Sequence, residues 1–189
     1  MTLHSLEIII AVVYPLSEAG LTVFKRAKRD RAAVQDDGSI GLIWAVILVS
    51  MALSTLCRWV DATRLAMPDP LRATLLLGLV IPGLALRWLS VLTLGRFFTM
   101  NVAIHNDHRV IQTGPYRFVR HPAYAGSLLT FLGVGLASNN ILSLVVILVP
   151  ISLVFLLRIR AEENVLLTHL GEPYAAYCAR TRRLVPGLY

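Results

Sequence analysis

This sequence predicts an all-α integral membrane helical bundle with about five transmembrane helices, on three observations. Of 189 residues, 56% are hydrophobic and 15% charged, a balance that ordinary soluble domains do not show. The apolar residues fall in blocks at 3–24, 40–57, 71–94, 124–137 and 141–157, the longer of them close to the roughly 20 helical residues that an apolar bilayer core requires. Lysine and arginine concentrate in alternate connections, as they do where short loops face the cytoplasm.

The first block, 3–24, carries Pro15 and a few polar residues. Its cationic cluster, Lys25, Arg26, Lys28, Arg29 and Arg31, follows the apolar run, so the block is expected to stay as an anchor and not to act as a cleaved signal. Residues 25–39 then form a cytoplasmic loop or a short amphipathic helix on headgroups. The second and third blocks flank "DATRLAMPDP" at 61–70, an outside loop ended by two prolines. The polar stretch 95–122 separates them from the last two blocks, whose link at Asn139 and Asn140 is short enough to demand a tight αα-hairpin. That hairpin should return the loop before Pro122 and the helix end near Arg158 to one membrane surface. After Gly171, a helix stop, a short amphipathic helix with Tyr174 and Tyr177 is expected to pack over that surface.

With the N-terminus outside, fourteen basic residues lie inside and three, Arg58, Arg64 and Arg72, outside, while Arg87 falls within the third block. An inner or cell membrane protein with a cytoplasmic C-terminus follows as the expectation. The formal charge of +7 belongs to this asymmetry and to anionic headgroups; no aromatic-interleaved basic patch points to nucleic acid. Cys57 and Cys178 fall on opposite sides and should not pair, and there is no CxxC spacing. No internal repeat divides the chain, so 1–189 is expected as one domain, with three scaffold helices in 1–94 and a loop, hairpin and tail in 95–189.

Two segments concentrate residues able to do chemistry. In "NVAIHNDHRVIQTGPYRFVRHPAY", 101–124, Pro122 suits the first turn of a helix, because its missing N–H would have no intrahelical partner there. His121 then stands at the helix rim with Tyr116 and Tyr124 beside it, either hydrogen-bonding the loop at the membrane surface or facing a ligand. Gly114 and Pro115 supply the turn that brings the chain back. His105, His108 and His121 with Glu162 have metal-ligand chemistry, but the HxxH lies in a loop and no HExxH is present, so no metal site is expected. In the second segment Arg158 and Glu162 are i, i+4 and share a helix face, as a structural ion pair or as site residues. Gly126 and Gly133 on the fourth helix form a small-residue stripe with Ala137, suited to close helix packing.

Together "HRVIQTGPYRFVRHPAYAG", an apolar hairpin and "RAEENVLLTHLGEPYAAYCARTRRLVP" resemble the isoprenylcysteine carboxyl methyltransferase family over roughly the last half of the chain. The resemblance implies S-adenosylmethionine as cofactor, held in a cytoplasmic pocket without a Rossmann domain, and no GxGxxG is present here. It places Asn101 near a polar cofactor contact and matches His108, Arg109, Val110 and Ile111 to an H-x-L-V stretch lining the cofactor, with Val110 for leucine and Ile111 for valine. Tyr116, His121, Pro122, Ala123 and Tyr124 match the next lining positions, Glu162 a cofactor-contacting carboxylate, and Arg158 the arginine that orients the acceptor in catalysis.

The implied reaction is methyl transfer to a lipophilic acceptor arriving from the bilayer, with a prenylcysteine-type carboxylate first among candidates. Such a carboxylate is already ionised near neutral pH, so alignment and water exclusion suffice and no general base is needed. Amine or thiol acceptors, a sterol-type reductase using NADPH, and a non-enzymatic lipid-binding protein are the rivals.

Overall fold

The computed structural model describes residues 3–26, 33–34, 39–98, 103–104 and 110–187. Hydropathy and proline placement explain where its helices begin. α1 runs Leu3–Arg26, α2 Ser39–Cys57 and α3 Asp69–Leu94, the last entered through Pro68 and Pro70, whose fixed φ suits a first turn. α4, Pro122–Ala137, starts at the expected proline, and α5, Ile141–Leu170, follows after a link of three residues, so the predicted hairpin is present. The expected tail helix is α6, Glu172–Arg180.

α5 is longer than its apolar block. Its 30 residues extend about 45 Å, roughly 15 Å more than an apolar bilayer core. The excess, roughly the last ten residues, carries Glu162 and Glu163 beyond that depth, with Arg158 one turn before them. It ends at Gly171, whose φ of +57° suits a residue without Cβ.

α2, α3 and α5 are long and apolar enough to cross a membrane; α4, with 16 residues, is a shorter apolar helix. Among the described residues the helices are joined by one short strand pair. Ala33–Val34 (β1) pairs antiparallel with Ala103–Ile104 (β2), bringing part of the expected 25–39 loop beside the 95–122 stretch.

The core forms where apolar faces meet around α4 and α5. Tyr14, Ile47, Phe131, Ile147, Ile151 and Phe155 join α1, α2, α4 and α5, while Leu6, Ile10, Leu76, Val80 and Ala137 join α1, α3 and α4. The glycine stripe on α4 does what its spacing predicts. A Cβ on Gly126 would stand 2.5 Å from the Gly83 carbonyl oxygen and 2.8 Å from the Arg87 nitrogen, so α3 and α4 touch backbone to backbone. Apolar residues facing outward, among them Leu16, Leu48, Leu53, Ile81 and Leu157, suit a lipid surround.

Polar pairing closes the hairpin end. Arg58 Nη1 donates to Glu7 Oε2 at 2.9 Å, and Arg72 Nε donates to the Ala137 carbonyl at 2.9 Å, tying α1, the α2–α3 link and the end of α4 together. Asn140 caps α5 by accepting from Ser143 N–H at 3.1 Å, and also accepts from Thr63 Oγ1 and donates to the Val60 carbonyl. Arg58, Arg64 and Arg72 gather at this end, whereas Arg120, Arg158, Arg180 and Arg183 gather at the other, which is the segregation read from the sequence. Cys57 and Cys178 are both free thiols.

Candidate functional site

The site begins with a turn. Gly114 has φ of +56° and opens a single 3₁₀ turn, Gly114–Arg117, that buries Pro115 and Tyr116 against the end of α3. The chain then runs extended to His121, the residue before α4, and a tail strap holds it there. Arg120 N–H donates to the Arg182 carbonyl at 2.7 Å and His121 N–H to the Arg183 carbonyl at 2.9 Å, next to a parallel bridge between Val119 and Arg182. Tyr177 of α6 adds a hydroxyl bond to the Tyr116 carbonyl at 2.6 Å. Burial pushes the Tyr177 hydroxyl up to about 12, so it stays a donor at neutral pH. Burial likewise raises Tyr116, with the Glu162 charge adding to the shift, and raises Tyr174.

Against this loop α5 presents two adjacent glutamates in different surroundings. Glu163 accepts from Arg120 Nε at 2.8 Å and from Arg183 Nε and Nη2 at 2.9 and 2.8 Å, and its Oε1 lies 3.2 Å from His121 Nε2. Four donors match the roughly four lone-pair sites of a carboxylate. Its acceptor capacity is filled. Arg120 in turn donates to the Cys178 carbonyl at 3.0 Å and to the Thr181 carbonyl, so three chain segments meet on one carboxylate.

Glu162 is used differently. Its Oε1 accepts from Tyr124 hydroxyl at 2.6 Å and from Arg158 Nε at 3.0 Å. Among the described residues its Oε2 has His121 Nδ1 at 3.7 Å and no hydrogen-bond donor, and the side chain keeps 21% of its surface exposed. One oxygen is held and the other is available. Tyr124 is itself fixed by tilted ring contacts with Phe155 at 5.1 Å and His121 at 5.9 Å. Among the described residues, Arg120 and Arg183 pair with Glu163, and Arg158 pairs with Glu162.

The structure therefore brings together Tyr116, His121, Pro122, Ala123, Tyr124, Arg158 and Glu162, residues drawn from two segments far apart in sequence. Pro122 and Ala123 are buried in the first turn of α4, where Ala123 offers its carbonyl, accepting from Ser127 Oγ at 3.2 Å. Val110 and Ile111 are half-buried in the segment entering the Gly114 turn. Asn101, His108 and Arg109, with His105, lie outside the described residues.

Arg120, Glu163 and Arg183 are site residues that sequence reasoning did not select. Arg120 precedes His121 in the quoted motif and both reach Glu163, a signal that was legible. Arg183 lies 20 residues from Glu163, with no periodicity linking them.

Comparison with known proteins gives matches to part of this chain. The family model described as isoprenylcysteine carboxyl methyltransferase (ICMT) matches residues 76–168, which include Tyr116, His121, Tyr124, Arg158 and both glutamates. A probable protein-S-isoprenylcysteine O-methyltransferase from Oryza sativa subsp. indica is 36% identical over 112 residues, covering 58% of this chain and 59% of that protein. The Cupriavidus metallidurans cobalt-zinc-cadmium resistance protein CzcN is 28% identical over 150 residues, covering 77% and 63%. The solved structure of the eukaryotic intramembrane Ras methyltransferase ICMT without a monobody superposes with a TM-score of 0.62 at 23% identity, over 74% of this chain and 52% of that one. The chain thus spans between about half and two thirds of the length of these proteins.

Proposed function

We propose that this chain, whose residues 76–168 match the isoprenylcysteine carboxyl methyltransferase family model, methylates the carboxylate of a lipophilic, prenylcysteine-like acceptor, with S-adenosylmethionine as methyl donor. The acceptor enters from the bilayer and the donor from the side on which loop 110–121, the α5 extension and the tail meet. The basic asymmetry makes that side cytoplasmic and the N-terminus external.

One observation carries the reading: of two neighbouring glutamates, Glu163 is filled by four donors while Glu162 keeps Oε2 open beside a held Oε1. A carboxylate so placed accepts from an ammonium or a ribose hydroxyl, and the neighbouring Tyr116 and Tyr124 rings suit an adenosyl group, so the residues present fit the donor. When bound, the donor supplies a methyl group made electrophilic by a sulfonium. Arg158 stands one turn before Glu162 and orients the acceptor carboxylate, whose oxygen takes the methyl as the carbon–sulfur bond breaks. Opposite charges disappear in that step, which a water-poor site favours. An amine would instead require a proton acceptor, and His121 already commits Nε2 to Glu163.

The test uses purified protein in nanodiscs. Equilibrium binding of S-adenosylmethionine but not NADPH is expected, and labelled methyl should enter prenylcysteine acids as a base-labile ester. Binding of NADPH alone, of neither ligand, or label appearing only in amines or thiols would defeat the proposal.

A further inference from the structure

Arg87 lies in the interior of α3, where its neighbours are apolar and an unpaired charge would be expensive. Its Nε and Nη2 donate to the two carboxylate oxygens of Glu18 on α1, a bidentate pair in which the Glu18 side chain is 2% exposed. Nη1 donates elsewhere, to the Ala123 carbonyl at 3.4 Å. Ser127 Oγ donates to the same carbonyl, and Tyr14, four residues before Glu18 and on the same face of α1, donates its hydroxyl to Ser127 Oγ at 3.4 Å. Two side chains of α1 therefore act, one through Arg87 and one through Ser127, on a single backbone oxygen.

That oxygen belongs to the first turn of α4. His121 stands just before it and Tyr124 just after, and these two reach Glu163 and Glu162. Gly126, one residue beyond Ala125 in the next turn, packs directly on the Arg87 backbone. Holding α1 to α3 does not require the ion pair, because Leu6, Ile10, Leu76 and Val80 already supply an apolar contact. A buried pair is also no better for stability than apolar residues of similar volume. Its distinguishing property is where the third guanidinium nitrogen ends.

We propose that Arg87, with Glu18 as its counter-ion, is a positioning residue for the methyl-transfer site, holding the first turn of α4 so that His121 and Tyr124 meet the two glutamates. The inference rests on the functional reading above, and it gives α1, which lies outside the 76–168 family match, a task beyond anchoring.

The test compares wild type with Glu18→Gln, Arg87→Gln and the double variant Glu18→Gln/Arg87→Gln in nanodiscs. Amide hydrogen exchange over 121–126 is read together with donor binding and kcat and KM for methyl transfer. Each single variant should exchange at least about tenfold faster over 121–126, while amides over 76–80 and 141–151 stay as in wild type. Turnover should fall by roughly tenfold to a hundredfold in kcat with KM little changed, as expected of misplaced catalytic groups. The double variant removes both charges of this pair together, so it should fold even where a single variant does not, and it should keep the fast exchange over 121–126. Wild-type exchange there in the double variant, or an equal rise along all helices, would overturn the proposal. Exchange is measured without ligand, so it decides the positioning role even if wild type binds no S-adenosylmethionine, an outcome that would count against the functional reading alone.

Discussion

Replacing Gly126 by alanine should separate α3 from α4, and the structure sets the size of the effect. The new Cβ would sit 2.5 Å from the Gly83 carbonyl oxygen, 2.8 Å from the Arg87 nitrogen and 3.3 Å from the Arg87 Cα. All three are backbone atoms, so no side chain can swing away. Restoring ordinary contact at 3.4 Å moves the helices apart by about 0.9 Å, the difference between 3.4 and 2.5 Å. Overpacking of that kind costs about 1–3 kcal/mol, or about 2–12 °C in Tm for a chain of this size. The same displacement, applied to the helix bearing Tyr124, exceeds what its 2.6 Å bond to Glu162 tolerates. Losing that bond should weaken binding of the methyl donor by about 1 kcal/mol, roughly fivefold.

Gly78→Ala on the same α3 is the control, because a Cβ there meets nothing within 4 Å. It should be neutral or more stable by up to about 1 kcal/mol, from helix propensity alone. Both variants would be purified in one detergent, with unfolding followed by circular dichroism and donor binding by calorimetry. Equal Tm values for the two variants would refute the claim that α4 seats on the α3 backbone.

Glu162→Ala should weaken donor binding by about 10–100-fold, since it removes a charged acceptor, whereas Arg158→Ala should act mainly on kcat for the acceptor, by about 100-fold; binding and turnover measured on both variants separate the two roles. Alkaline pH should loosen the tail. Tyr177 has its folded value raised from 10.0 to about 12, so the stability of its neutral form is complete below pH 10 and lost as pH rises through 12, and protease sensitivity of the tail should rise over that window in wild type but not in Tyr177→Phe. Asn140→Ala removes the α5 cap and two further hydrogen bonds at the hairpin end, and should cost about 1–2 kcal/mol in thermal unfolding while donor affinity stays at wild type.

Much of the bundle was legible because hydropathy and proline act locally. Pro122 marks the start of α4 and the Asn139–Asn140 link forces the hairpin, so convergence of the 110–124 and 158–163 segments followed from connectivity alone. The end of α5 was legible from Gly171 and not from hydropathy, because beyond Leu157 the helix continues on propensity and ion pairing. Glu162 was singled out by its i, i+4 spacing from Arg158 and by the family resemblance, but the saturation of Glu163 was beyond a one-dimensional reading. The two glutamates differ by about 100° around the helix, and the rotation of α5 against the loop decides which is filled and which stays open. The Glu18–Arg87 pair joins residues 69 apart, and only the tertiary arrangement of α1 against α3 could reveal it.

The two ends of the bundle use the same residue types with different outcomes. At the hairpin end the polar groups tie helix ends to links: Arg58 and Arg72 to Glu7, Arg72 to the Ala137 carbonyl, Asn140 to the Val60 carbonyl, Met67 N–H to the Asn139 side chain. These bonds close loops, so their loss should appear as lost stability. At the other end the loop, through Arg120 and His121, and the tail, through Arg183, are drawn onto the one carboxylate of Glu163 before anything binds. Ordering in advance reduces what a ligand must organise, so its binding free energy is available for alignment. With Glu163 saturated, the strap and the first turn of α4 are already placed, and the partly exposed oxygen of Glu162 is left to receive a further donor. On the proposed function, a buried hub beside a half-open neighbour is the arrangement that would let a small membrane helix bundle hold a polar ligand without a separate cofactor domain.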